Sequence, residues 1–173
     1  DGCIIISQHA DSTGAPSACE QLLNSGKTVY CVGYNVDMLS VAPTAALTSA
    51  QNDWSVYYTY AFGCIVKGED IKTDWAAGYD QGAVMISALG KSCAEGTDAK
   101  VKEVEAALKD GSLNVFDCST FTVGGKNLTS YTDSYGMNGQ ECIQNGVFTE
   151  STLRSAPYFD LRIDGITELN GQS

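Results

Sequence analysis

Three short polar segments carry the side chains that could bind a ligand: residues 8–14 (QHADSTG), 33–38 (GYNVDM) and 51–54 (QNDW). Each combines hydrogen-bonding side chains with an aromatic or imidazole ring. This mixture suits a small, flat, polyhydroxylated ligand, because rings stack while carboxylates and amides bind hydroxyl and amine groups. The predicted ligand-binding residues are His9, Asp11, Ser12, Tyr34, Asn35, Asp37, Asn52 and Trp54.

These candidates also have structural interpretations that remain open at this stage. Asp11 and Ser12 precede a predicted helix and could cap its free amides. Asn35 and Asp37 could be turn formers, and Trp54 could belong to the core. The single histidine could simply hydrogen-bond to a backbone group. Three such loops on one edge of a sheet would favour binding over these alternatives.

Catalytic chemistry has little support in these segments. His9, Asp11 and Ser12 are the residue types of a hydrolase triad, but they lie in one short loop, whereas triads draw on separate elements. The sequence has no GxSxG elbow, no phosphate-binding glycine loop and no EF-hand spacing. We therefore predict a binding protein, not an enzyme, with no cofactor and no metal. A small α/β hydrolase using His9, Asp11 or Asp37 is a less favoured alternative.

The charge of the chain narrows the range of partners. Its formal net charge is −11, from 21 acidic and 10 basic side chains. A surface this acidic repels the phosphates of nucleic acids and anionic lipids. Nucleic acid is therefore not expected as a partner, whereas a small-molecule ligand is.

The seven cysteines do not form a metal-binding pattern. None belongs to a CxxC pair, and there is only one histidine, so a zinc site is not expected. Cys3, Cys31 and Cys64 lie in apolar runs and are predicted to be small core residues. The cysteines in loop-like sequence that could form disulfides are Cys93, Cys118 and Cys142.

The elements that must position the three polar segments read as a βαβ unit followed by further strands and helices. A strand is predicted over 3–7, a helix over 16–24 and a second strand over 28–32. The remaining predicted elements are a strand over 45–49, helices over 54–67 and 97–109, and short strands within 74–89. The predicted fold class is α/β, a Rossmann-like parallel sheet with flanking helices. Since each polar segment follows a candidate strand, all three are expected at the carboxyl edge of this sheet, beside one crevice.

The last third of the chain differs in composition. From residue 118 onward Gly, Ser, Thr, Asn and Asp dominate and hydrophobic periodicity is weak. Val115-Phe116 is predicted to begin a short strand, and residues 121–123 with the Gly124-Gly125 turn predict a short hairpin. We divide the chain into a Rossmann-like portion, 1–117, and an irregular, short-β segment, 118–173. Because the chain opens inside a predicted buried strand and lacks a signal peptide, we expect a fragment of a longer precursor.

The first two thirds of the chain resemble the basic membrane protein (BMP) family of solute-binding lipoproteins. The similarity runs from DGCIIISQHADSTG through GYNVDM and LTSAQNDW to DWAAGYDQGAVMISALG, over about residues 1–116. The subgroup with an HTDSP-like loop and a GYNSDM-like loop is the most similar. The His-Asp-Ser loop followed by GYNxDM at this spacing is the specific part of the resemblance.

The resemblance implies a fold, a location and partners. It implies a type I periplasmic-binding-protein fold of two Rossmann-like lobes, of which this chain would be the C-terminal portion. It implies an extracytoplasmic protein, lipid-anchored to the cell membrane in its full-length precursor, that delivers its ligand to an ABC permease. The ligand would be a purine nucleoside or a purine-like molecule, held between this chain and the N-terminal half of the same protein.

Two positions depart from the nucleoside-binding members of that family. Asn35 stands where those members have the aspartate that holds the ribose hydroxyls, while Asp37 matches the second acidic position. Asn52 stands where they have a lysine, and Trp54 lies beside it. A nucleoside, a free purine base and another heterocycle all remain open as ligands. A ligand-sensing receptor domain of the same fold is the main alternative to a transport receptor.

Overall fold

A computed structural model describes residues 2–132, 139–149 and 159–167 of the chain. The chain forms two compact units, Asp1–Ser112 and Leu113–Ser173. The division falls between residues 112 and 113, whereas the sequence analysis placed a boundary after residue 117. Parts of the predicted 118–173 segment lie outside the described residues.

The first unit contains four strands and three helices. They are β1 (Ile5–Ser7), α1 (Gly14–Asn24), β2 (Tyr30–Tyr34), β3 (Ala46–Asn52), α2 (Trp54–Lys67), β4 (Val84–Ile86) and α3 (Thr97–Lys109), with a 3₁₀ turn at Met38–Ser40. The predicted bounds of α2 and α3 are confirmed. Within the part of the chain that the structure describes, no helix is both long and apolar enough to cross a bilayer.

The ends of α2 show why its bounds were readable from sequence. The Asp53 carboxylate accepts a hydrogen bond of 2.9 Å from the Ser55 amide, which satisfies one of the free donors of the first turn. Gly68 ends the helix in the left-handed region, at φ 71°. Each end of α2 is therefore marked by one residue, an aspartate that caps the first turn and a glycine that ends the last turn, beside a run of apolar residues at helical spacing.

The four strands form one mixed sheet in the order β1-β2-β3-β4. β1 pairs with β2, and β2 with β3, in parallel, which confirms the predicted α/β fold class and the βαβ unit. β4 runs antiparallel to β3, and this was not predicted. An antiparallel strand at the edge of an otherwise parallel sheet is common in α/β proteins.

The core of the first unit lies where α1 packs on the sheet. Its side chains are mostly small, which lets the helix approach the strands closely. The buried cluster consists of Cys19, Val29, Cys31, Met38, Ala42, Ala45 and Ala46.

A charged contact joins α1 to the segment that leads into β3. The Glu20 carboxylate accepts hydrogen bonds from the backbone amides of Thr44, at 3.0 Å, and Ala45, at 2.8 Å. Burial opposes ionisation of this carboxyl, but the hydrogen bonds from Ala45 and Thr44 outweigh it. The pKa of Glu20 therefore lies below its ordinary value of 4.5.

We expect Glu20→Ala to destabilise the first unit by about 1–2 kcal/mol at neutral pH, because two amides lose a charged acceptor. Since the folded pKa is lowered, the carboxylate's contribution is present above pH 4.5 and is lost as the pH falls below it. Urea unfolding at a series of pH values should show the variant and the parent protein converging in acid. Glu103→Ala, which removes an exposed partner of Lys100, should change stability little at any pH. An effect of Glu20→Ala that is as large well below pH 4.5 as at neutral pH would contradict this assignment.

The second unit is built around a short hairpin and an aromatic core. β5 (Ile143–Gln144) and β6 (Val147–Phe148) pair antiparallel, and a 3₁₀ turn spans Cys118–Thr120. Among the described residues of this unit, the buried cluster consists of Cys118, Tyr131, Cys142, Ile143 and Phe148.

Two expectations for this unit meet different outcomes. The predicted strand at Val115-Phe116 is wrong: these residues form a turn, although the Phe116 carbonyl accepts a hydrogen bond from the Phe148 amide. At Gly124-Gly125 the chain does reverse, but Val123 and Lys126 form a single antiparallel bridge and no extended hairpin. The Asp164 carboxylate holds this turn by accepting hydrogen bonds from both glycine amides, at 3.0 and 2.8 Å.

The cysteines differ in part from expectation. Cys31 and Cys64 are buried as predicted, but Cys3 is exposed because it lies before the short strand β1 at the edge of the sheet. All seven cysteines lie in the described residues, and all are free thiols. Two of the predicted disulfide candidates, Cys118 and Cys142, are buried instead in the core of the second unit.

Candidate functional site

A cleft of about 490 Å³ opens at the carboxyl ends of β1 and β2. The loop that follows β1 forms one wall, and the loop that follows β2 forms the other. The lining residues are Asp11, Ser12, Thr13, Tyr34, Asn35, Val36 and Met38. Four of the predicted ligand-binding residues, Asp11, Ser12, Tyr34 and Asn35, therefore share one cleft.

A hydrogen bond connects the two walls of the cleft. The Asn35 side-chain amide donates to Asp11 Oδ1 at 3.0 Å. Asn35 lies in the left-handed region, at φ 69°, a conformation that asparagine tolerates better than most residues. Its backbone amide also donates to the Ala50 carbonyl of β3 at 2.7 Å. Asn35 is thus both a turn former and the residue that holds Asp11.

The capping interpretation applies to Ser12 and not to Asp11. Ser12 Oγ accepts a hydrogen bond of 3.1 Å from the Gly14 amide at the start of α1. Thr13 occupies the N-cap position without a side-chain hydrogen bond to the helix. Apart from the bond to Asn35, the Asp11 carboxylate makes no hydrogen bond to another described residue. It retains acceptor capacity on the cleft wall.

Two rings lie beside the cleft. The imidazole of His9 and the ring of Tyr34 have centroids 4.1 Å apart, with a tilt of 34°. Tyr34 lines the cleft, whereas His9 is exposed and packs on the tyrosine from outside the lining set. No hydrogen bond joins His9 to Asp11 or Ser12 in the described part of the chain, so these three residues are not arranged as a catalytic triad.

A buried serine of the neighbouring strand β3 holds the loop after β2 in place. Ser49, on β3, is completely buried, and its Oγ accepts a hydrogen bond of 3.1 Å from the Met38 amide. The Ser49 amide in turn donates to Ser87 Oγ at 3.0 Å. Asp37 accepts from the Leu39 amide at 2.9 Å and so caps the 3₁₀ turn. The structure gives Asp37 this turn-capping role and places it outside the lining set, so ligand binding by Asp37 stays a prediction.

The third predicted segment lies outside the cleft lining. Asn52 is the last residue of β3, and Trp54 is the first residue of α2. Trp54 is 57% exposed, which excludes the interpretation that it belongs to the core. Neither side chain is among those that line the cleft. Their predicted role in binding remains a prediction.

Sequence reasoning missed three lining residues and one supporting residue. The missed lining residues lie inside the polar segments, next to predicted ligand-binding residues, and this position could have identified them. They are Thr13, Val36 and Met38. Ser49 carried a different signal, a small polar side chain at the end of the strand predicted over 45–49. Its partner, the Met38 amide, could not be identified without coordinates.

We expect Asn35→Ala to destabilise the first unit by about 1–2 kcal/mol, because alanine is strained in the left-handed region. Asn35→Gly should cost less, since glycine adopts this conformation freely and only the hydrogen bond to Asp11 is lost. Urea unfolding of the two variants separates backbone strain from the side-chain contact. If Asn35→Ala and Asn35→Gly lost the same free energy of unfolding, backbone strain at residue 35 would not contribute to stability.

Comparisons with known proteins extend this picture. No protein-family model matches the chain. The chain is 27% identical over 115 residues, 66% of its length, to a curated purine-binding protein of Brucella abortus (strain 2308). These residues make up 31% of that relative, so the chain spans about a third of its length.

A solved structure shares the fold. It is a transcriptional activator of the comK gene from Bacillus halodurans, which aligns with a TM-score of 0.52 at 13% identity. The alignment covers 63% of this chain and 38% of that one. The chain is thus similar in sequence to part of a purine-binding protein and similar in fold to part of that activator.

Proposed function

We propose that this chain is the C-terminal portion of an extracytoplasmic solute-binding protein that captures a purine nucleoside or a purine-like molecule. The observation that carries the proposal is the cleft in which Asp11, Tyr34 and Asn35 converge at the carboxyl edge of the sheet. The similarity to a purine-binding protein supports the ligand class. A volume of about 490 Å³ falls within the range usual for small-molecule sites.

The cleft residues supply the contacts that a purine derivative needs. The Tyr34 ring offers a face on which a flat heterocycle stacks. The Asp11 carboxylate accepts hydrogen bonds from ribose hydroxyls or from an exocyclic amine, and charged acceptors make the stronger bonds. Ser12 and Asn35 add a hydroxyl and an amide that fix orientation.

Exposed apolar residues on α2 support the proposal that the complete protein has a second lobe. Five apolar residues on this helix are exposed at helical spacing: Trp54, Tyr58, Phe62, Ile65 and Val66. An exposed apolar stripe of this kind is typical of a surface that packs against another domain. In the proposed protein the N-terminal half covers this stripe, and the two lobes close on the ligand. Lipid anchoring to the cell membrane and delivery to an ABC permease belong to the same proposal.

The proposal is tested by isothermal calorimetry on the complete protein, with purine nucleosides and free purine bases as ligands. We expect at least one to bind, and Asp11→Ala to weaken its binding at least tenfold, about 1.4 kcal/mol. Asp98→Ala removes the same charge from the exposed first turn of α3 and should leave affinity unchanged. Absence of binding by every purine, together with a non-purine ligand released from the purified protein, would overturn the proposal.

A further inference from the structure

The ring of His9 lies against the ring of Tyr34 because of the way β1 pairs with β2. The register of these parallel strands sets Ser7 beside Val32. The pairing continues one residue further, since the Gln8 amide donates to the Val32 carbonyl at 3.3 Å. Because side chains alternate between the two faces of a strand, His9 and Tyr34, the next residues on the same face, become neighbours. Their ring centroids are 4.1 Å apart, with a tilt of 34°.

Local hydrogen bonds hold the loop that carries His9. The Gln8 side-chain amide donates to the Ser12 carbonyl at 3.0 Å, and the Ser12 amide donates to the Ala10 carbonyl at 2.8 Å. These bonds fix the chain on both sides of the histidine. The imidazole itself is exposed and makes no hydrogen bond to any residue that the structure describes. Its interaction within the described chain is therefore the ring contact with Tyr34.

The backbone and the ring of Tyr34 are held by different contacts. The backbone is fixed by the strand pairing and by the next residue, Asn35, whose amide donates to the Ala50 carbonyl at 2.7 Å. Within the described ranges, the phenol hydroxyl makes no hydrogen bond, and His9 supplies the one aromatic ring beside Tyr34. Tyr34 lines the cleft, whereas His9 does not. The imidazole therefore covers a face of the phenol ring that is turned away from the cleft, and the opposite face is left for a ligand.

We infer that His9 is a positioning residue: it holds the ring of Tyr34, and a flat heterocycle stacks on the face opposite to the imidazole. The inference rests on the proposed function, and it gives His9 an effect on the ligand through Tyr34 and not through direct contact. An aromatic side chain that is already held in its binding orientation loses less rotational freedom when the ligand binds. The energy of one stacked aromatic pair corresponds to a change of about three- to tenfold in a binding constant.

Three substitutions of His9 separate positioning from direct binding. His9→Ala removes the ring and should weaken ligand binding by about three- to tenfold. His9→Phe keeps a ring without hydrogen-bonding atoms and should restore the affinity to within about twofold of the parent protein. His9→Gln keeps hydrogen-bonding atoms without a ring and should bind as weakly as His9→Ala. Calorimetry on the complete protein, with adenosine, guanosine, adenine and hypoxanthine as probes, measures these affinities.

Other affinity patterns would overturn the inference. Weak binding by His9→Phe would do so, and so would tight binding by His9→Gln, because either result shows that the ring is not the group that matters. Unchanged affinity in all three variants would exclude a role for His9. Lys109→Ala is the matched control, because Lys109 lies over the ring of Tyr79, 6.0 Å from its centroid, and does not line the cleft. This control should leave the affinity unchanged.

Nuclear magnetic resonance of the ligand-free protein tests the ring contact independently of any ligand. In the complete protein with isotope-labelled tyrosine rings, a Tyr34→Phe variant assigns the Tyr34 resonances. The imidazole should shift the Tyr34 ring protons upfield, because they lie beside the face of an aromatic ring. His9→Ala should remove this shift, whereas His9→Phe should retain it. Tyr34 resonances that are the same in His9→Ala as in the parent protein would overturn the inference. If no purine binds but the shift is present, the proposed function fails while the ring contact stands.

Discussion

Gly33→Ala is expected to destabilise the first unit by about 2–3 kcal/mol and to abolish ligand binding. A methyl group on Gly33 would lie 2.5 Å from Met38 Cγ and would overlap Ser49 Oγ. Both neighbours are buried, so neither can move aside without opening the core. Displacing Ser49 also breaks its hydrogen bond to the Met38 amide, which holds the loop on the cleft wall.

Gly63→Ala is the matched control for this prediction. The same methyl group on Gly63, inside α2, meets no atom within 4 Å. Because glycine is unfavourable within a helix, this substitution should be neutral or stabilising by about 0.5–1 kcal/mol. Urea unfolding and calorimetry on both variants make the comparison. A Gly33→Ala protein as stable as Gly63→Ala would show that the contact with Ser49 and Met38 relaxes at little cost.

A purine nucleoside is expected to bind roughly a hundredfold more tightly than its 5′-monophosphate. None of the seven residues that line the cleft is basic, and one of them is Asp11. A phosphate about 5 Å from that carboxylate would be repelled by about 3 kcal/mol at an effective dielectric constant of 20. The net charge of −11 adds a weaker, long-range repulsion.

Competition calorimetry with each nucleoside and its monophosphate measures this preference. Asp11→Asn removes the charge and keeps the shape, so it should narrow the gap between the two ligands even if both bind more weakly. Asp98→Asn, on α3, should leave the gap unchanged. Added salt should also narrow it, because screening weakens charge repulsion. A monophosphate that binds as tightly as its nucleoside would show that Asp11 does not face the ligand.

The sequence predicted best those elements whose ends carry their own signals. Asp53 and Gly68 mark the two ends of α2 by a cap and a left-handed residue, and both act locally. The ends of the strands were predicted less well, because the end of a strand depends on where its pairing with the neighbouring strand stops. β1 is shorter than predicted and leaves Cys3 exposed, and Val115-Phe116 has strand-forming residues but forms a turn.

The site was predictable at the level of loops and not of individual side chains. Parallel strands bring the loops after β1 and β2 to the same edge, so Asp11 and Asn35 were correctly placed together. The turn-forming interpretation of Asp37 is confirmed, because its carboxylate caps the 3₁₀ turn that follows it, but the sequence did not decide between this role and ligand binding. The support from Ser49 depends on the alignment of β2 with β3, which only the three-dimensional structure defines.

The hydrogen bond between Asp11 and Asn35 limits how the cleft can be altered. The two residues are 24 positions apart in the chain, yet neither can be exchanged without changing the surroundings of the other. A single substitution at position 11 or 35 that is meant to favour a new ligand would leave the other residue without its hydrogen-bond partner. Redesign of ligand preference, whether in the laboratory or in evolution, is therefore expected to require paired substitutions at positions 11 and 35.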